Sequence, residues 1–130
     1  MRKKEVIFTE KATVPTAWYS QAIKTGGMVF LAGVCGDDPK TGELVRGDFT
    51  RETMLALENL KNTVEAAGGT MRDIVKVNVY VTNIGMMKEF NEVYRQYFPE
   101  NPPARIAMEI SALSDGANLE LDAVAVLDQQ

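Results

Sequence analysis

Between Thr50 and Thr82 the chain changes hydrophobic period within a few residues, and few folds accommodate that change. Met54, Leu57, Leu60, Val64 and Ala67 recur at steps of three and four. Thr50 or Thr53 can cap such a run and Gly68-Gly69 stops it, so the spacing predicts an amphipathic helix with one buried face. From Ile74 to Thr82 the period becomes two, with Val75, Val77, Val79 and Val81 on one side and Lys76, Asn78, Tyr80 and Thr82 on the other. Alternation of that kind predicts a strand covered on one face only. A helix that must bury a stripe beside a strand that must bury a face favours a layered α/β arrangement.

The flanking sequence extends the pattern. Short strands are expected at Val6 to Thr9, at the apolar run Met28 to Cys35, and at Glu43 to Arg46 after the turn-forming Asp38-Pro39-Lys40-Thr41-Gly42-Glu43. A second helix runs from about Met86 to Phe98, with Met87, Phe90, Val93 or Tyr94, and Tyr97 as its stripe and Pro99 as its stop. Past Pro102-Pro103, Arg105, Ala107 and Glu109 alternate with Ile106, Met108 and Ile110. Leu119 to Leu127 alternates again, with Glu120, Asp122, Val124 and Val126 opposite Leu119, Leu121, Ala123 and Ala125. The expected fold is α+β, one mixed or antiparallel sheet with two helices packed on one face. The other face, mixing apolar residues with Arg105, Glu109, Glu120 and Asp122, is expected to be an oligomer interface.

At 130 residues, with 45% hydrophobic and 25% charged residues, the chain 1–130 reads as a single domain. A net charge of −4, with one short basic start at Arg2-Lys3-Lys4, argues against nucleic-acid binding. No apolar run approaches a membrane span. The single cysteine, Cys35, forms no intrachain disulfide and fits a cytoplasmic location. There is no histidine, which removes the usual Ser-His-Asp and Cys-His catalysts and the commonest transition-metal ligand. No metal or cofactor is expected.

The remaining chemistry lies with a few residues. Arg105, set behind Pro102-Pro103-Ala104, either anchors an anionic substrate through its planar fork or pairs with Glu109 or Asp122. Glu120 and Asp122 share a strand face, where a partly buried acid beside another acquires a raised pKa suited to proton transfer; an exposed pair at a sheet edge is the plainer reading. In a simple hairpin across Ser111 to Ala117, Glu120 falls nearer Glu109 than Arg105. Tyr19 offers an aromatic wall with a hydroxyl, or simply packs. Gly33 marks a bulge or a close approach of ligand to backbone. Asn91 caps a ligand or a loop, or is solvated. Cys35 is read as a small buried hydrophobe.

Four segments together resemble the reactive-intermediate deaminase (RidA/YjgF) family. They are Tyr19-Ser20-Gln21-Ala22; Leu31-Ala32-Gly33 ahead of Pro39-Lys40-Thr41-Gly42-Glu43; Asn91-Glu92-Val93-Tyr94 through Tyr97-Phe98; and Pro103-Ala104-Arg105 with Leu119 to Ala125. The resemblance implies a chorismate-mutase-like fold forming a homotrimer with sites between subunits. It further implies cofactor-free hydrolysis of small carboxylated enamines or imines to 2-oxo acids and ammonia, the work of a 2-iminoacid or enamine deaminase, a hydrolase of C–N bonds. In that scheme Arg105 clamps the substrate carboxylate and Glu120 handles water and protons, while Tyr19, the Gly33 backbone and Asn91 line the pocket. The alternative is a non-catalytic trimer that binds a carboxylate or 2-oxo acid. The family's deaminating branch often has Ser before the matching glycine, Ser-Cys after the arginine and Gly-Pro before the tyrosine. Here those positions are Ala32, Ile106-Ala107 and Ala17-Trp18, which implies a more apolar pocket and a different substrate.

Overall fold

A computed structural model describes residues 3–127; Arg2 of the basic start lies outside them. Six strands, β1 (Glu5–Ile7), β2 (Ala22–Thr25), β3 (Met28–Val34), β4 (Ile74–Val81), β5 (Ala104–Glu109) and β6 (Leu119–Val126), form one sheet in the order β1-β2-β3-β6-β4-β5. Two helices, α1 (Phe49–Ala66) and α2 (Met87–Tyr97), pack side by side, with α1 over β3 and β6. All neighbouring strands are antiparallel except β4 and β5. Those two run parallel because α2 carries the chain back to the end at which β4 began. No helix is long and apolar enough to cross a membrane.

The core is the seam between helices and sheet. Ala56, Leu57, Leu60 and Val64 of α1 and Phe90 of α2 meet Val29, Val77, Val79, Val81, Leu119, Leu121 and Ala125, all fully buried. Each such side chain removed from water contributes roughly 1.5–3 kcal/mol, which offsets the cost of ordering the chain around it.

Several expectations are corrected. The helix begins at Asp48, whose carboxylate accepts the Arg51 N–H at 3.1 Å. Thr50 instead donates to Glu89 on α2 and Thr53 to the Phe49 carbonyl. Met54 is 44% exposed; the buried face is rotated toward Glu52, Thr53, Asn59 and Thr63, whose polar groups have partners inside. Val75, 48% exposed, leaves the buried side because the β4–β6 ladder shifts register between Ile74 and Lys76, which turns Ile74 inward in its place. Glu43 to Arg46 is no strand: a single Asp37–Leu44 bridge closes the turn. The third strand of the N-terminal half is β2, joined to β3 by Gly26-Gly27, both at positive φ, as a two-residue hairpin loop requires.

The correction that matters most for the site is topological. β5 and β6 make no hairpin, because β4 lies between them. Arg105 pairs with Val77 and Glu109 with Val81, on the helix-covered face at its edge, whereas Glu120 pairs with Tyr80 and Asp122 with Asn78 on the open face. The four charges expected on one face are split between two. The open face keeps exposed Val6, Phe30, Ile106, Met108 and Val126 around an Asp122 carboxylate that accepts from Asn78 at 2.7 Å and Tyr80 at 3.3 Å.

Candidate active site

Glu120 sits where β6 passes the irregular part of β3. The β3–β6 register shifts between Leu31 and Val34, and Gly33 lies in that bulge. A Cβ at Gly33 would overlap the Glu120 carboxylate; the position is glycine because the acid lies against its backbone. The cavity there is about 440 Å³ and is lined by Tyr19, Ala32, Gly33, Cys35, Asp37, Asp115 and Glu120, among others. Burial, then Asp122 and Asp37, raises the Glu120 pKa above its usual carboxylate value. Burial, then Asp115 and Glu52, does the same for Asp37, against the pull of Arg46. Tyr19 is raised by burial first and by Glu120 next. The Cys35 thiol is pushed up to about 12 by burial and by Glu120, so it is an unreactive wall at neutral pH and only half-buried, not a core residue.

The loops around this cavity are held from beneath by polar residues of the core. Asn59 donates to the Cys35 and Asp37 carbonyls at 3.1 and 2.9 Å. Glu52, fully buried, accepts from the Asn118 backbone and side chain at 2.8 and 2.9 Å. Gln21 ties down the entering loop through both N–H and C=O of Thr9 and the C=O of Thr13. Two carboxyls with raised pKa values, a phenol and a backbone bulge in one concavity suit proton transfer to and from a small bound molecule.

Arg105 belongs to a second cavity, about 480 Å³, lined by Asn91, Tyr94, Arg95, Phe98, Pro102, Pro103 and Arg105 with Pro99. Its guanidinium donates to Asn91 Oδ1 at 2.9 Å and lies 4.8 Å from the Tyr94 ring centroid and 5.8 Å from that of Phe90. It makes no salt bridge with Glu109 or Asp122; Glu109 instead accepts the Ile84 N–H. A guanidinium held by an amide and two rings, with no acid opposite, is prepared to receive an anion.

Of the sequence-predicted residues, Tyr19, Gly33 and Glu120 come together, and Arg105 and Asn91 come together. The two sets share no cavity within one chain. Sequence reading missed Asp37, Asp115, Tyr94 and Arg95 as lining residues. Asp37 and Asp115 lie in turn sequences with no local sign of chemistry, whereas Arg95 was legible as Asn91 plus four, on the same face of α2. Among the departures named above, Ala17 and Ala32 line the Glu120 cavity, Ile106 faces outward on the open sheet and Ala107 packs toward the core. Among the described residues no three His, Cys, Asp or Glu side chains are grouped to hold a metal.

Comparison with known proteins identifies the family. The family model described as Endoribonuclease L-PSP matches residues 9–127. A RutC family protein of Pyrococcus abyssi is 48% identical over 122 residues, covering 94% of this chain and 96% of its own. The human 2-iminobutanoate/2-iminopropanoate deaminase is 37% identical over 123 residues, covering 95% and 90%. The crystal structure of RidA from an Antarctic Psychrobacter superposes with a TM-score of 0.91 at 36% identity, covering 95% of this chain and 99% of that one. The chain belongs to the Endoribonuclease L-PSP family, the RidA/YjgF family of imine deaminases.

Proposed function

We propose that the protein is a cofactor-free deaminase that hydrolyses small carboxylated imines or enamines to 2-oxo acids and ammonia, acting in the cytoplasm as a homotrimer. The observation that carries this reading is the division of the site. A proton-transfer half around Glu120 and an anion-binding half around Arg105 lie in separate cavities of one chain. Apposing the first half of one copy to the second half of the next makes a complete site, and such a head-to-tail contact closes into a ring. The exposed apolar residues of the open sheet face supply an interface to hold it.

In that site Arg105 takes the carboxylate and fixes the imine carbon above Glu120. Glu120 orients a water and accepts its proton as oxygen bonds to the imine carbon, giving a carbinolamine. Glu120 then returns the proton to nitrogen, and as the C–N bond breaks its freed carboxylate takes the carbinolamine hydroxyl proton, so that ammonia leaves and the C=O of the 2-oxo acid forms. Imines hydrolyse in water unaided, so positioning and one raised carboxyl are sufficient chemistry. The carboxylates of Glu120, Asp37 and Asp115 favour a cationic iminium and disfavour a phosphodiester, which supports deamination over RNA cleavage.

The test is competition between the protein and semicarbazide for 2-iminopropanoate or 2-iminobutanoate made in situ by an amino-acid oxidase. Wild-type protein should suppress semicarbazone formation and Arg105→Ala should not. No suppression by folded, assembled wild type overturns the reading. Glu120→Ala separates catalysis from simple binding: an enzyme loses turnover, whereas a carboxylate-binding module keeps its affinity.

A further inference from the structure

The Arg105 cavity holds more positive charge than one carboxylate requires. Arg95 lines it too, one helical turn beyond Asn91 on α2, and among the described residues neither guanidinium has an ion-pair partner. No Asp or Glu lines this cavity. Tyr94, 7% exposed, forms one wall of the cavity, with the Arg105 guanidinium 4.8 Å from its ring centroid. Phe98, Pro99, Pro102 and Pro103 complete the wall with apolar surface suited to a short methylene chain.

We propose that the preferred substrate carries a second carboxylate, so that it is a 2-imino dicarboxylate with its first acid group on Arg105 and its distal one on Arg95. The inference rests on the carboxylate-clamping role of Arg105 and extends it. The distribution of charge fixes the direction of the side chain. A distal carboxylate turned toward Glu120, Asp37 and Asp115 would meet three acids, whereas one turned along α2 meets an unpaired guanidinium.

Calorimetric titration of the assembled protein with 2-oxobutanoate and 2-oxoglutarate, at low salt, tests this. The dicarboxylate should bind about tenfold more tightly, the scale of one added charge-assisted hydrogen bond at a partly exposed site. Arg95→Ala should erase that advantage, costing 2-oxoglutarate clearly more affinity than it costs 2-oxobutanoate, and Arg95→Lys should restore part of it. In the imine assay, the Arg95→Ala variant should raise KM for 2-iminoglutarate by a larger factor than for 2-iminobutanoate. Equal affinity for the two acids in wild type, or equal losses for both in Arg95→Ala, overturns the inference. The Arg105→Ala arm reports separately on the clamp: 2-oxobutanoate binding that survives it removes the clamp reading, whatever Arg95 does.

Discussion

In the proposed reaction the chemistry turns on Glu120, which lies against the Gly33 backbone, and that contact makes a separable prediction. In Gly33→Ala the new Cβ displaces only the far end of a flexible side chain. The variant should fold with a Tm within a few degrees of wild type while kcat falls at least about tenfold, because the displaced carboxylate no longer addresses the bound water. Circular-dichroism melting beside the imine assay reads both. The raised Glu120 pKa gives a second prediction. Because the folded state holds this proton more tightly than the unfolded chain, the group costs no stability below its ordinary value of 4.5, and a penalty develops as pH rises through the raised folded value. Glu120→Gln should therefore melt higher than wild type at pH 7, and the gap should close as pH falls toward 4. Asp37→Asn removes one of the charges that raise Glu120; the acid limb of the rate profile should move to lower pH. Arg105 and Glu120 were legible singly because an arginine fixed by prolines and an acid in an alternating strand carry local signals. Asp37 was not, since its role depends on a loop brought over from 83 residues away in sequence.

At the scale of elements, the periodic stretches declared themselves and the irregular ones did not. α1, α2, β3, β4, β5 and β6 follow from hydrophobic spacing. The misreadings at Val75, Met54 and Ala22–Thr25 share a cause: a bulge, a buried polar residue and a short strand each break the apolar count from which period is judged. Those same irregularities build the site, since the bulge in β3 admits Glu120 and the polar residues buried in α1 hold the surrounding loops. Glu52 shows what this costs. Its carboxylate, itself fully buried, satisfies the partly buried Asn118 backbone N–H, so Glu52→Ala should destabilise by about 2–3 kcal/mol in chemical denaturation. Gly36 packs directly on the Glu52 backbone, where a Cβ has no flexible neighbour to move. Gly36→Ala should cost about 1–3 kcal/mol, against the small effect expected for Gly33→Ala, although the two glycines stand three residues apart.

For the whole molecule the decisive fact is that β4 separates β5 from β6. Sequence spacing set Arg105 and Glu120 on adjacent strands; the parallel crossover through α2 puts them on opposite faces of one sheet. If the working site joins Glu120 of one copy to Arg105 of the next, two inactive variants must be able to repair each other. Arg105→Ala and Glu120→Ala, unfolded together at equal concentration and refolded, assemble at random. In a ring of like copies a site is intact only when an unaltered Arg105 meets an unaltered Glu120 across one interface, which happens in about a quarter of the pairings. Mixed material should therefore recover about a quarter of wild-type activity, where each parent refolded alone recovers none. Placing both substitutions in one chain and mixing it with wild type gives the complementary control, since that chain damages each interface it enters. Introducing Ile106→Asp on the open face should abolish the repair together with the assembly, seen as a monomer in analytical ultracentrifugation, because a charge there meets apolar surface from the neighbouring copy. Mixed samples that stay inactive although they co-assemble would place both residues in a single-chain site and break the divided arrangement.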